Sequence, residues 1–176
     1  MKEISCSHFK KEQIKLRLLE KSDLPITLKW RNKKNVKKWF FYSEMVTRET
    51  HNNWFEEYLK NNDDYVYIIE EEGAFNKPIG QISIYNIDWN LSRAELGRLM
   101  IGEEKARGKG FAKQAVKLLV SISDIYFGIN ELYLSVYKDN LPAIHIYEKC
   151  GFKKTKEIDD ILHMRLLRRS DTKKIK

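Results

Sequence analysis

The residues of this chain best placed to do chemistry are two glycines. Gly108 and Gly110 stand one residue apart in "EEKARGKGFAKQAV" (103–116), among Lys105, Arg107 and Lys109, in a chain that holds only 8 glycines. The run before them, "RAELGRLMI" (93–101), reads as a strand, and a helical pattern follows. Strand, glycine loop and helix together make an anion cradle: loop amides and the positive end of the helix dipole point at one place. Glycine lacks a Cβ, so a phosphate can approach the backbone closely. The P-loop spacing of four residues between glycines is absent. The dinucleotide fingerprint fails too, because its third glycine would fall on Lys113. A glycine-rich turn that simply starts a core helix fits the same residues, and both readings stay open at this point.

Around the loop the elements read clearly. "IKLRLLE" (14–20) alternates as a strand. Ser22 and Asp23 offer caps, and Pro25 suits a first helical turn. The segment up to Phe41 reads as one helix broken near Asn32–Asn35, or as two short ones. Thr47 or Thr50 caps a helix through Lys60, with Trp54, Phe55, Tyr58 and Leu59 as its apolar side. Strands over 65–72 and 79–88 form a hairpin, and 93–101 is the next strand. From Phe111 the apolar positions Ala115, Leu118, Leu119, Ile122 and Tyr126 mark one helix face. "ELYLSVY" (131–137) is a strand. "NLPAIHIYEKCG" (140–151) is a helix with Asn140 as cap and Gly151 as stop. A closing hairpin ends the pattern. The fold class is α+β, or mixed α/β, in a single domain over 1–167, with 168–176 as a basic tail.

"KARGKGFA" and, about 30 residues on, "NLPAIHIYEKCGF" (140–152) together resemble the two signature regions of the GCN5-related N-acetyltransferase superfamily. The first resembles its Gln/Arg-x-x-Gly-x-Gly/Ala loop through Lys105, Gly108 and Gly110, with Lys105 in place of the usual Gln or Arg. The second resembles its Asn-x-x-Ala-x-x-x-Tyr-x-x-x-Gly-Phe segment through Asn140, Ala143, Tyr147, Gly151 and Phe152. The resemblance covers roughly residues 14–167. It implies a mostly antiparallel, splayed central sheet flanked by helices, acetyl-CoA as co-substrate, no metal, and acetyl transfer to a primary amine.

The resemblance also assigns roles. The pyrophosphate of acetyl-CoA would sit on the loop of Arg107, Gly108, Lys109, Gly110, Phe111 and Ala112, with Lys105 beside it. The pantetheine arm would pair with the backbones of Leu99, Met100 and Ile101, and a strand amide would polarise the thioester carbonyl. Asn140 would bind that arm, cap its helix, or both. Transfer needs a neutral amine, hence a base, and an acid for the departing thiolate. Tyr147 matches the position of the acid, and Glu95 that of the base, acting directly or through water. Core packing for Tyr147, and an ion pair with Arg93 or Arg98 for Glu95, are the plainer alternatives. His145, two residues from Tyr147, should point elsewhere.

The acceptor wall would be built from the first helices and the loop after them. There Trp30, Arg31 and Trp39, with Phe40, Phe41, Tyr42 and Trp54, suit stacking and phosphate contacts. The pattern "WRN…VKKWF" followed by "H..WF" resembles acetyltransferases of nucleotide-linked amino sugars, which makes such a sugar the first expected acceptor. A polyamine would want an acidic wall, for which Glu56, Glu57, Asp63 and Asp64 supply some charge; acetylation of protein N-termini, as in the RimJ/RimL group, is the third option. The net charge of +8 also suits an RNA-binding domain without catalysis, but that reading leaves both signature regions unexplained. A silent acetyl-CoA sensor is the other non-catalytic reading. Cys6 and Cys150 fit neither a disulfide framework nor a zinc spacing. With no spanning run and no signal-peptide pattern, the expectation is a cytoplasmic protein, with a homodimer as the assembly considered.

Overall fold

The computed structural model describes residues 13–167, together with the backbone of 8–11. Cys6 and the basic segment 168–176 lie outside the described residues. Eight strands form one sheet in the order β1-β2-β3-β4-β5-β6-β8-β7. They are β1 (His8–Lys11), β2 (Ile14–Leu18), β3 (Asp64–Glu71), β4 (Lys77–Asp88), β5 (Arg93–Ile101), β6 (Glu131–Tyr137), β7 (Lys153–Ile158) and β8 (Ile161–Leu167). Five helices accompany them: α1 (Leu24–Arg31), α2 (Lys34–Lys37), α3 (Arg48–Lys60), α4 (Phe111–Ile125) and α5 (Leu141–Lys149). The break expected near Asn32–Asn35 separates α1 from α2. Thr47, not Thr50, caps α3: its side chain accepts from the Thr50 amide at 3.1 Å. β1 was not anticipated, since "HFKK" is too short to show alternation.

β3 explains how the layers assemble. Its apolar run is buried on both faces, as expected of a central strand. Tyr67 and Ile69 face α4 in the main core, while Val66 and Ile68 pack with Leu24, Phe55 and Tyr58 of α1 and α3. Arg17 of β2 ties the start of α1 to the sheet, donating to both oxygens of Asp23 at 2.6 and 2.8 Å and to Glu70 at 2.7 Å. These fork-shaped, part-buried ion pairs hold geometry as well as charge.

The sheet splits between β5 and β6. Those strands pair in parallel, but only at Arg93–Glu131, Ala94–Leu132 and Glu95–Tyr133. β5 stays paired to β4, and β6 to β8, along the rest of their lengths. An extra residue in β5 bends it: pairing moves from Ser83–Gly97 to Gln81–Met100, with Arg98 at φ 49°. Beyond Glu95, then, the outer edge of β5 has no strand beside it, and a cleft opens there.

Candidate active site

The cleft has a volume of about 520 Å³. One wall is the bent half of β5, where Gly97, Arg98, Leu99, Met100 and Ile101 line it. The opposite wall comes from Ser135 and Val136 of β6 and from the start of α5, where Asn140, Ala143, Ile146 and Tyr147 face it. Arg107, Gly108 and Ala112 close one end. Arg31 and the run from Trp39 to Tyr42 form the other boundary. The splay therefore brings both signature regions and the first helices to one place.

The loop has the shape of an anion cradle. Gly108 and Gly110 adopt φ of 74° and 84°, the left-handed region that glycine enters without strain. Gly110 is the N-cap of α4, whose first intrahelical acceptor, the Gly110 carbonyl, is taken by the Gln114 amide at 3.1 Å. The amides of Phe111, Ala112 and Lys113 precede that bond and need an outside acceptor. Arg107 donates through Nε to the Ile101 carbonyl at 2.9 Å, while its Nη2 is buried without a partner. A buried, unpaired guanidinium nitrogen beside free helix amides fits a phosphate-bearing co-substrate. Lys105 and Lys109 are exposed and do not line the cleft. Phe111 turns its ring into the core, where it meets Phe75 edge-on at 6.2 Å, so only its backbone serves the loop.

Asn140 caps α5, accepting from the Ala143 amide at a long 3.4 Å. Tyr147 is 6% exposed, packs edge-on against Phe152 at 5.9 Å and still lines the cleft. Burial pushes its phenol above the ordinary value, so it stays protonated at neutral pH. His145 is exposed on the far side of the helix. Glu95 is half-buried and does not itself line the cleft; it accepts from Asn86 Nδ2 at 2.9 Å and stands opposite Tyr85 in the β4–β5 register. Arg93 and Arg98 pair elsewhere than with Glu95: Arg93 meets Asp88 at 3.4 Å, and Arg98 holds both oxygens of Asp64 at 2.8 Å. Tyr85 was not singled out from sequence. Its pairing with Glu95 across β4 and β5 depends on register.

The expected acceptor wall is corrected at two tryptophans. Trp30 is 3% exposed and packs behind the cleft-lining Val36 and Met100 without lining the cleft itself. Trp54 stacks on His51 at 5.3 Å and Tyr58 at 5.5 Å, beside the second core. Both are helix-face aromatics claimed by burial. Arg31 and Trp39 do face the cleft. The Arg31 guanidinium lies 4.0 Å over the Phe40 ring, donates through Nη2 to the Tyr42 carbonyl, and has a buried Nη1 without a partner. Phe41 reaches Tyr137 at the end of β6, with ring centroids 5.3 Å apart. No carboxylate lines the cleft among the described residues. Glu56, Glu57 and Asp63 are instead engaged by Lys21, Lys60 and Trp89.

A sheet splayed over a glycine cradle, with a buried tyrosine opposite, defines an acyl-CoA-dependent transferase. The family model described as "Acetyltransferase (GNAT) domain" matches residues 13–153, and the chain belongs to this family. Among its relatives, spermidine N(1)-acetyltransferase of Vibrio cholerae is 26% identical over 140 residues, covering 80% of this chain and 79% of the relative. The Escherichia coli K12 enzyme of the same name is 29% identical over 139 residues, covering 79% and 72%. The crystal structure of the Vibrio cholerae enzyme in complex with CoA and spermine superposes with a TM-score of 0.81 at 24% identity, covering 89% of this chain and 96% of that one. The chain is an acetyl-CoA-dependent N-acetyltransferase. No helix among the described residues is long and apolar enough to cross a membrane.

Proposed function

We propose that the acceptor is a polyamine, acetylated at a primary amino group. The observation that carries this reading is the pair of relatives named spermidine N(1)-acetyltransferases, each matched over roughly four-fifths of this chain. The nucleotide-linked amino sugar expected first gains no support from these relatives. In the proposed reaction the bent edge of β5 aligns the pantetheine arm, and the Arg107–Ala112 cradle holds the phosphates. When bound, acetyl-CoA supplies an activated thioester carbonyl. Tyr147 faces that end of the cleft as the proton donor to the leaving sulfur. Asn140 holds the start of α5 in place and offers its amide to the arm.

A second reading rests on a specific observation. A polycation would find no carboxylate on this cleft wall, whereas Arg31 presents an unpaired, buried Nη1. That geometry suits an amine carrying an anionic group, a nucleotide-linked amino sugar among them. A thiol-release assay with acetyl-CoA separates the two. Turnover of spermidine or spermine, with none on a UDP-linked 4-amino sugar, supports the polyamine reading; the reverse pattern overturns it. We further propose that residues 1–167 are one catalytic domain with 168–176 as a basic tail, and that the chain self-associates, since the Vibrio cholerae enzyme has a dodecameric structure.

A further inference from the structure

Glu95, the carboxylate on the strand beside the cofactor loop, has a phenol as its cross-strand neighbour. Tyr85 and Glu95 are directly opposed residues of β4 and β5, close enough for the Glu95 charge to act on the Tyr85 phenol. Of the two, only Tyr85 lines the cleft. Its position is tightly set. The Arg98 guanidinium, itself held by Asp64, lies 4.3 Å over the ring. The hydroxyl rests above Gly97, where an added Cβ would meet Oη at 2.8 Å. Gly97 thus leaves the space that the phenol fills. Tyr147 is another phenol on the cleft wall, near enough for its charge to be felt at Tyr85.

We propose that Tyr85 is a catalytic residue that takes the proton from the acceptor nitrogen and passes its own to Glu95. Glu95 is then the base, acting through Tyr85. In the step, nitrogen has already bonded to the thioester carbon. The N–H bond breaks, its electron pair stays on nitrogen, and the proton moves to Tyr85 Oη. The Tyr85 O–H bond breaks at the same time, and that proton moves to a Glu95 oxygen. The C–S bond then breaks, and sulfur leaves with the proton of Tyr147. Water at the open side of Glu95, where Asn86 donates at 2.9 Å, carries the proton away and returns one to Tyr147.

The surroundings suit a relay rather than a tyrosinate base. Burial and the negative charge of Glu95 both hold the Tyr85 phenol above its ordinary range, and only the Arg98 charge opposes them. The phenol is therefore protonated at working pH and has a proton to give. Other groups facing the pair are Tyr133, opposite Glu95 on β6, and Arg93 and Asp88 beyond it. The inference rests on acetyl transfer to an amine and not on which amine accepts.

The test uses single-turnover thiol release with spermidine and with a UDP-linked 4-amino sugar, on Tyr85→Phe, Glu95→Gln and the double variant. Each single change should cost about 10²-fold in kcat near pH 7, and the deficit should shrink at higher pH as solvent base takes the N–H proton of the adduct unaided. The double variant should lie within about threefold of either single one, because the two groups form one path. Gly97→Ala keeps the phenol but displaces its oxygen, and should reproduce the loss. The stabilisation of the fold by acetyl-CoA should persist in all of them. Losses that multiply in the double variant, or a Tyr85→Phe enzyme within about threefold of wild type with chemistry limiting, overturn the relay. A readout without acceptor keeps this separate from the acceptor question: in ¹³C-tyrosine NMR titration, Glu95→Gln should lower the pKa of the resonance lost in Tyr85→Phe. An unchanged pKa shows that the pair does not communicate.

Discussion

The indole of Trp30 occupies the space where Gly102 would carry a side chain: a Cβ added at Gly102 would fall on the indole ring. Lys33 reinforces the contact by donating to the Gly102 carbonyl at 2.9 Å. Through this packing α1 and the turn after it are locked to the end of β5, immediately before the cofactor loop. The acceptor side and the acetyl-CoA side of the cleft therefore share one rigid joint.

Gly102→Ala should accordingly destabilise the fold by about 1–3 kcal/mol, since either the ring or the strand end must shift. The urea midpoint should fall with the m-value unchanged. A midpoint equal to wild type would mean that the joint yields freely.

Gly110→Val forces a β-branched residue into the left-handed region at the N-cap of α4. The conformational penalty is about 1–2 kcal/mol, although an added Cβ at Gly110 meets no atom within 4 Å. The larger effect should be on ligand: the rise in melting temperature on adding acetyl-CoA should mostly disappear. Gly110→Asn, which tolerates this conformation, separates backbone strain from lost approach. A full acetyl-CoA response in folded Gly110→Val protein would rule out the cradle.

Tyr147→Phe removes one oxygen and leaves the ring against Phe152. A roughly 10²-fold drop in kcat is expected, at the low end for a positioned acid because a thiolate is a fair leaving group. Acetyl-CoA binding and melting temperature should change little. If kcat stays within about threefold while chemistry limits, the phenol serves packing alone.

Arg31→Ala should raise the acceptor KM and spare acetyl-CoA affinity, which isothermal titration can read directly. Arg31→Lys should not restore the KM, because an ammonium cannot both stack on Phe40 and bond as a fork. Equal loss of both affinities would place Arg31 in the fold or in the cofactor site.

Alkaline pH should destabilise the protein through its buried phenols. Burial raises Tyr58, Tyr67, Tyr85 and Tyr147 above the ordinary value of 10.0. The unfolded chain ionises them near that value, whereas the folded chain keeps its protons to higher pH. Their contribution is complete below about pH 10 and is lost as pH rises towards the folded values. Urea midpoints across this range should decline, and Tyr67→Phe should flatten the slope by one proton. An identical slope in that variant would show that Tyr67 ionises alike in both states.

Nearly every element was legible because its signal is local. Alternation marked β2 and β6; the spacing of Ala115, Leu118, Leu119 and Ile122 marked α4; Asn140, Pro142 and Gly151 bracketed α5. The cofactor loop was equally legible, since glycine spacing and helix start are contiguous in the chain. β1 escaped because four residues with one aromatic carry too little pattern. Trp30 and Trp54 were misplaced for a different reason: composition lists aromatics but does not say which way a helix face turns.

By itself the sequence determined the order of strands and helices, the cradle at Gly108 and Gly110, and the family through two contiguous signatures, all of which depend on neighbours along the chain. Only the tertiary structure decided where β5 leaves β6, which aromatics of the first helices reach the cleft, and that Tyr85, opposite Glu95, lines it. Those features come from strand register, from a bulge at Arg98 and from competition for buried space, and such long-range pairings leave no periodic mark on either segment alone.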